Sequence, residues 1–370
     1  MNSILSDKKI LFVVSQLKVG GAAKMIKYVA NLCAGYFGDV TLLTYYDDFT
    51  PDDVNPMIKR INLDVKAAGI PTWRIKALTR LRRVVGKGKY DIVCSFLPDV
   101  SMMSRLATLG KGTITVSAER GDPFQFSKLW KKIVSWTYRR SDYCFFQLEK
   151  ARDFFGEKVA NHSFVIPNPY VPVEGVTPYS GGRKKIIVSA GRFAKQKRFD
   201  ILIRAFAKVH ELHPDYRLVL YGEGECKAEY EELSERLGIE RYVDYPGYVK
   251  NVAARIREDG IFVLSSDYEG IPNSLIEAMS VGLPCVATDC TPGGASFLTN
   301  KGERGLLISI HDVDEMANAI NRLIMEPDLA IQLSSRASNI IQELDINVIN
   351  KMWVEAFTQM VEKQNGRKKS

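Results

Sequence analysis

Short apolar runs rich in Val, Ile, Leu and Phe alternate with stretches of helical spacing along almost the whole chain. Lys9–Ser15 (KILFVVS), Val40–Thr44, Asp91–Phe96, Thr113–Ser117, Tyr143–Phe146 and Phe164–Ile166 are the strand-like runs of the first half, and Lys185–Ser189, Arg217–Tyr221, Val243–Tyr245, Ile261–Leu264 and Cys285–Thr288 those of the second. Strands and helices taking turns in this way argue for an α/β fold with parallel sheets. The alternation pauses once, from Ile166-Pro167-Asn168-Pro169 to Gly182. Proline after a strand stops it and prevents immediate helix formation, so this run reads as a connection between domains. A chain of 370 residues has room for two domains of about 150 to 200 residues each. The divisions read as an N-terminal domain (1–170), a linker (171–182), a C-terminal domain (183–345) and a closing amphipathic helix (346–370).

Composition narrows the partners. No apolar run approaches the roughly 20 residues of a membrane span, and Met1–Lys9 is too polar for a secretory signal, so the chain reads as cytosolic. Cys33, Cys94, Cys144, Cys226, Cys285 and Cys290 are scattered without a C-x-x-C pair and suggest neither a disulfide frame nor a zinc site. The net charge of +8 is unevenly spread, about +11 over residues 1–170 and about −3 over the rest, which implies an anionic partner for the first half. Two segments carry that charge. Trp73–Tyr90 holds seven Lys or Arg and no acid, and Phe124–Arg140 interleaves Phe126, Trp130, Ile133 and Trp136 with Lys128, Lys131, Lys132, Arg139 and Arg140. Each segment alone fits a solvated helix face over a buried one; together they favour an anionic membrane surface. No recognised nucleic-acid module accompanies them, so nucleic acid is not expected as a partner.

Several loops sit where strands end, the ligand-facing edge of an open parallel sheet. Gly20 and Gly21 join the first strand to a helix starting at Ala22. Ser117–Pro123 follows another strand and contains Arg120, whose plain alternative is a surface ion pair with Glu119 or Asp122. Gly191-Arg192-Phe193-Ala194-Lys195-Gln196-Lys197-Arg198 follows Lys185–Ser189; Arg192 offers a planar fork and Lys197 a point charge, the two common grips on phosphate. Gly222-Glu223-Gly224 closes the next strand as a turn or a ligand contact. Asp267–Pro284 (DYEGIPNSLIEAMSVGLP) then runs from a strand into a helix. With Ser274 as the N-cap, the following amides would face a phosphate or sugar and Glu277 would lie in the first turn. Ser274-x-x-Glu277 is equally a capping box, and Glu269 alone fits an ordinary loop acid. Asp312-x-Asp314 precedes a helical pattern, so Asp312 reads as an N-cap and not as a metal ligand.

Glu269, Gly270, Pro272, Asn273, Glu277, Gly282 and Pro284 together resemble the E-x7-E signature of the retaining glycosyltransferases of family 4. The resemblance implies a GT-B architecture: two Rossmann-like domains whose parallel sheets face an interdomain cleft, the first serving the acceptor and membrane, the second the nucleotide sugar, with the last helix crossing back. It implies that Glu269 contacts the donor sugar's hydroxyls, Glu277 the ribose, Arg192 and Lys197 the diphosphate, and Arg120 the donor sugar and phosphate. Gly20, Gly21, Gly191, Gly222, Glu223, Gly270, Ile271, Pro272, Asn273, Ser274 and Leu275 would complete the donor site. The acid that often follows the Gly-Gly is replaced by Ala22, Ala23 and Lys24. No metal and no organic cofactor is implied. The implied reaction is retaining transfer of a hexose or N-acetylhexosamine from a nucleotide diphosphate sugar, with UDP favoured, to a polyprenyl-diphosphate-linked saccharide at the inner face of the cell membrane. Two other functions fit the same features, a UDP-sugar epimerase and a non-catalytic protein binding anionic membranes on a GT-B fold. A dehydrogenase is excluded by the lack of G-x-G-x-x-G after the first strand.

Overall fold

All the expected runs become strands, and every strand pairing among the described residues is parallel. The computed structural model describes residues 4–17, 21–46, 53–65 and 72–369. Two units separate, Met1–Asn168 with Asn347–Ser370, and Pro169–Ile346.

The first unit carries β1 (Lys9–Val14), β2 (Asp39–Thr44), β3 (Lys59–Asn62), β4 (Ile92–Phe96), β5 (Ile114–Ala118), β6 (Tyr143–Phe146) and β7 (Ser163–Val165), in the spatial order β3-β2-β1-β4-β5-β6-β7. The order reverses between β1 and β4, the topology of a doubly wound sheet. β3 has no counterpart among the expected strands. Three of its four residues, KRIN, are polar and it is only partly buried, because an edge strand needs no continuous apolar run. One face of this sheet packs Phe12, Ile92, Phe96, Val116 and Phe145 against Ile26 and Val29 of the helix Gly21–Cys33. The closing helix, Ile346–Lys369, adds Trp353, Phe357 and Met360 to the same core. Trp353 is fully buried, 4.4 Å from the ring of Phe145 and stacked on Phe357 at 6.0 Å.

The second unit carries β8 (Ile186–Ala190), β9 (Arg217–Tyr221), β10 (Val243–Gly247), β11 (Ile261–Leu264), β12 (Cys285–Thr288) and β13 (Leu306–Ile308), ordered β10-β9-β8-β11-β12-β13. β13 likewise has no counterpart among the expected strands. β8 and β11 are neighbours, so the loops at their carboxyl ends are neighbours too. This adjacency makes a shared site out of segments about 70 residues apart.

Asp259, just before β11, is 4% exposed, and burial pushes its carboxyl up to about 6 against the pull of Lys184 and Arg255. The folded state therefore takes up this proton more readily than the unfolded chain. Its contribution is fully present below the unfolded value near 4 and is lost as pH rises through about 6. Asp259→Asn should raise Tm at pH 8, by the equivalent of at most about 3 kcal/mol, and leave it nearly unchanged at pH 4. Thermal melts at the two pH values check this; the same shift at both would show that the charge is not the cause.

Candidate active site

β8 ends in a loop anchored by one aromatic residue. Phe193 is fully buried, packed edge-on against Phe199, Tyr230 and Tyr245 at 5.5 to 6.2 Å, and the flanking Arg192 is left exposed. Among the described residues the Arg192 guanidinium makes no ion pair. The chain then makes one 3-10 turn, Lys195–Lys197, before the helix Phe199–Leu212. Glycines make the close approach possible. A Cβ on Gly222, whose φ is 146°, would lie 1.8 Å from the Gly191 carbonyl oxygen, and one on Gly191 would meet Lys197 Cε at 2.9 Å. Lys197 therefore lies across Gly191, and its ammonium reaches Glu269 Oε1 at 2.5 Å. Glu223, next to Gly222, accepts from the Phe193 N–H through its carbonyl (2.8 Å).

Besides Lys197, two further hydrogen bonds hold Glu269 and a third ties its loop to that of Lys197. Ser266 Oγ donates to its Oε1 at 2.9 Å, its own N–H donates to the Thr291 carbonyl at 2.9 Å, and Ser265 Oγ ties the two loops by donating to the Lys197 carbonyl at 2.7 Å. The backbone after it is squeezed as well: a Cβ on Gly294 would lie 1.6 Å from the Gly270 carbonyl oxygen and 3.1 Å from Pro272. Ile271 and Leu275 are buried in the wall of this segment.

Two expectations for the helix that follows are corrected. It spans Asn273–Ser280 and its N-cap is Pro272, without a side-chain cap. The Pro272 carbonyl already accepts from the N–H groups of Leu275 (3.1 Å) and Ile276 (3.2 Å), so Ser274 is the second helical residue. Neither the Ser274 cap nor the capping box forms, and Glu277 falls in the second turn, half-buried. Asp312 does cap its helix, accepting from the Glu315 N–H at 2.8 Å.

In the first unit Arg120 is not a surface residue. It is 8% exposed, its guanidinium carbon 5.3 Å from the Phe96 ring and 5.2 Å from the Trp353 ring, with one nitrogen on the Ile166 carbonyl. The ion-pair alternative fails because the Glu119 carboxylate is used elsewhere, on the N–H groups of Arg120 and Gly121 and the hydroxyl of Tyr138. Burial lowers the Arg120 guanidinium to about 10, still cationic at neutral pH. Its Nε and one terminal nitrogen are buried without an acceptor among the described residues. Gly20 lies outside the described residues, and Gly21 opens its helix, exposed.

The basic segments are helices Thr72–Gly88 and Lys128–Arg140. Arg80 of the first donates to the loop carbonyls of Leu63 and Asp64, and Arg82 to those of Leu106, Ala107 and Leu109 at the end of the helix Pro98–Thr108, at 3.2 to 3.3 Å, so part of that charge is structural. The second buries Val134, Thr137 and Tyr138 and exposes Leu129 (69%) and Trp136 (40%) beside its five Lys and Arg. Among the described residues no helix is long and apolar enough to cross a membrane.

Residues 179–340 match the family model described as glycosyl transferases group 1. The second unit contains that matched span. With the first unit it gives the GT-B fold, two Rossmann-like units built on parallel sheets. An exopolysaccharide phosphotransferase of Streptomyces coelicolor is 33% identical over 209 residues, 56% of this chain, and the chain spans only 22% of its length. An alpha-1,4-N-acetyl-D-galactosaminyltransferase of Campylobacter jejuni, named for a saccharide on PP-undecaprenol, is 22% identical over 95% of this chain and 99% of its own. Among solved structures, Anabaena HepE in complex with UDP superposes with a TM-score of 0.78 at 19% identity, over 95% of this chain and all of the other. The matched span holds Arg192, Lys197, Glu269 and Glu277. Sequence reading missed the residues that support them: Ser265, Ser266 and Thr291 are small polar residues whose partners lie on other loops, with no local signature.

Proposed function

We propose that the protein is a retaining, metal-independent glycosyltransferase that moves a hexose or N-acetylhexosamine from UDP-sugar to a sugar hydroxyl of a polyprenyl-diphosphate-linked acceptor. The observation that carries this is the meeting of Lys197 with Glu269 across Gly191, beside the exposed Arg192. A cation and a carboxylate in contact can grip adjacent parts of one ligand, the diphosphate and the sugar hydroxyls. Arg192 and Lys197 stabilise the charge that builds on the leaving diphosphate as the anomeric C–O bond breaks. The acceptor hydroxyl attacks on the same face, its proton passes to a phosphate oxygen, and the new glycosidic bond keeps the anomeric configuration. Glu269 positions the sugar, and Glu277 holds the ribose.

UDP complexes among the structural neighbours and the undecaprenol-linked substrate in the Campylobacter name support the choice of donor and acceptor. The exposed Leu129 and Trp136 among lysines and arginines support docking at the inner face of the membrane. A thermal-shift screen of nucleotide sugars tests the donor: UDP-sugars should raise Tm by mass action, and no shift with any nucleotide sugar would sink the proposal. Liposomes containing anionic phospholipid should carry the chain upward in a flotation gradient at low salt; failure to float would remove the membrane surface from the account.

A further inference from the structure

The loop that carries Lys197 and the loop that carries Glu269 are joined by two pairs of charged side chains. One contact is the Lys197–Glu269 pair itself; the other lies one step outside it, between Arg198 and Asp267. Arg198 sits in the left-handed region at φ 48°, a conformation uncommon for any residue but glycine. Its side chain is fully committed. Nε and one terminal nitrogen grip the two carboxylate oxygens of Asp200 at 2.9 and 3.0 Å, and the other terminal nitrogen reaches the Asp267 carboxylate at 3.3 Å. A third loop joins from β13, where His311, also left-handed at φ 67°, places Nε2 2.6 Å from Asp267 Oδ1. The backbone closes the joint: the Asp267 N–H donates to the Gln196 carbonyl at 2.9 Å, and Gln196 Nε2 donates to the Tyr268 carbonyl at 2.6 Å.

We propose that Arg198, braced by Asp267 and His311, is a positioning residue that fixes Lys197 against Glu269 for glycosyl transfer. The proposal rests on the transferase reading above. Arg198, Asp200 and Asp267 line a separate groove with Arg204 and Tyr230, a groove that neither Lys197 nor Glu269 lines. The brace therefore acts through its neighbours in sequence: Lys197 is the residue before Arg198, and Glu269 lies two after Asp267. A cation loop free to shift by about 1 Å loses turnover by up to about 10²-fold without losing the groups that hold the donor. Glycine would suit φ 48° better than arginine, so the guanidinium, and not the backbone, is what this position supplies.

Arg198→Gly separates the two roles, since it relieves the backbone and deletes the guanidinium together. The expected result is an unchanged or higher Tm, a kcat lower by about 10- to 50-fold, and a KM for the nucleotide sugar within about threefold of the wild type. Arg198→Lys, which keeps a charge but not the fork, should recover part of the lost kcat. Asp267→Asn should lower kcat similarly, and the double variant Arg198→Gly/Asp267→Asn should be no worse than the poorer single one, because both break one joint. Wild-type kcat in Arg198→Gly, or losses that multiply in the double variant, would overturn the brace while leaving the transferase reading intact. A wild-type chain without transferase activity would overturn that reading and the brace with it.

Discussion

Lys197→Ala lowers turnover by about 10² to 10³, the scale of losing one donor aimed at charge that develops in the transition state. The effect is expected in kcat more than in KM, because the leaving diphosphate gains its charge only as the sugar departs. Arg192→Ala should fall in the same range, since an exposed guanidinium and a half-buried ammonium would share one leaving group. The lysine substitution has a second consequence. It leaves the Glu269 carboxylate with Ser266 Oγ as its remaining side-chain partner in the site, which loosens the group that positions the sugar. Steady-state kinetics with a UDP-sugar that shifts Tm provide the check. Full activity in either variant removes that residue from the chemistry.

Trp353→Ala should cost about 3 to 5 kcal/mol of stability, the range for emptying a large aromatic from a packed interior. The indole is fully buried among Phe145, Phe357 and the Arg120 guanidinium. Its removal opens a cavity and leaves the buried cation with the Phe96 ring alone. Trp353→Phe should recover most of the loss, because the indole N–H is buried without an acceptor and its deletion forfeits no hydrogen bond. Chemical denaturation followed by fluorescence and circular dichroism reads this out. Where the two units unfold in separate transitions, the loss belongs to the first unit, whose core holds the helix. A loss of under about 1 kcal/mol for the alanine variant would show that the closing helix is not anchored by this ring.

The α/β architecture was legible because buried parallel strands must be written as near-continuous apolar runs. β3 escaped for the converse reason: it is an edge strand with three polar residues out of four. The loops bearing Arg192, Lys197, Glu269 and Glu277 were legible through their resemblance to family phrases, and spacing alone would not have joined Lys197 to Glu269. Their contact follows from β8 lying beside β11, which is a property of the sheet order. Ser274 was misplaced because a serine three residues before a glutamate is the usual helix-start signal, whereas the preceding proline had already supplied the first carbonyl. The surface ion pair offered as the alternative for Arg120 does not form, because the Phe96 ring and the Trp353 ring of the closing helix, more than 200 residues later, cover its guanidinium. The brace around Arg198 depends on three loops and on a left-handed backbone, neither of which leaves a mark in local sequence.

The most direct test follows labelled sugar from UDP-hexose or UDP-N-acetylhexosamine into a butanol-extractable polyprenyl-diphosphate saccharide, with nucleoside diphosphate measured in the same tube. Label should enter the lipid fraction in step with nucleoside diphosphate release, only when acceptor is present, and fall by about 10² or more with Lys197→Ala. Conversion of the nucleotide sugar to its epimer without acceptor, or equal transfer by the wild type and Lys197→Ala, would contradict the account.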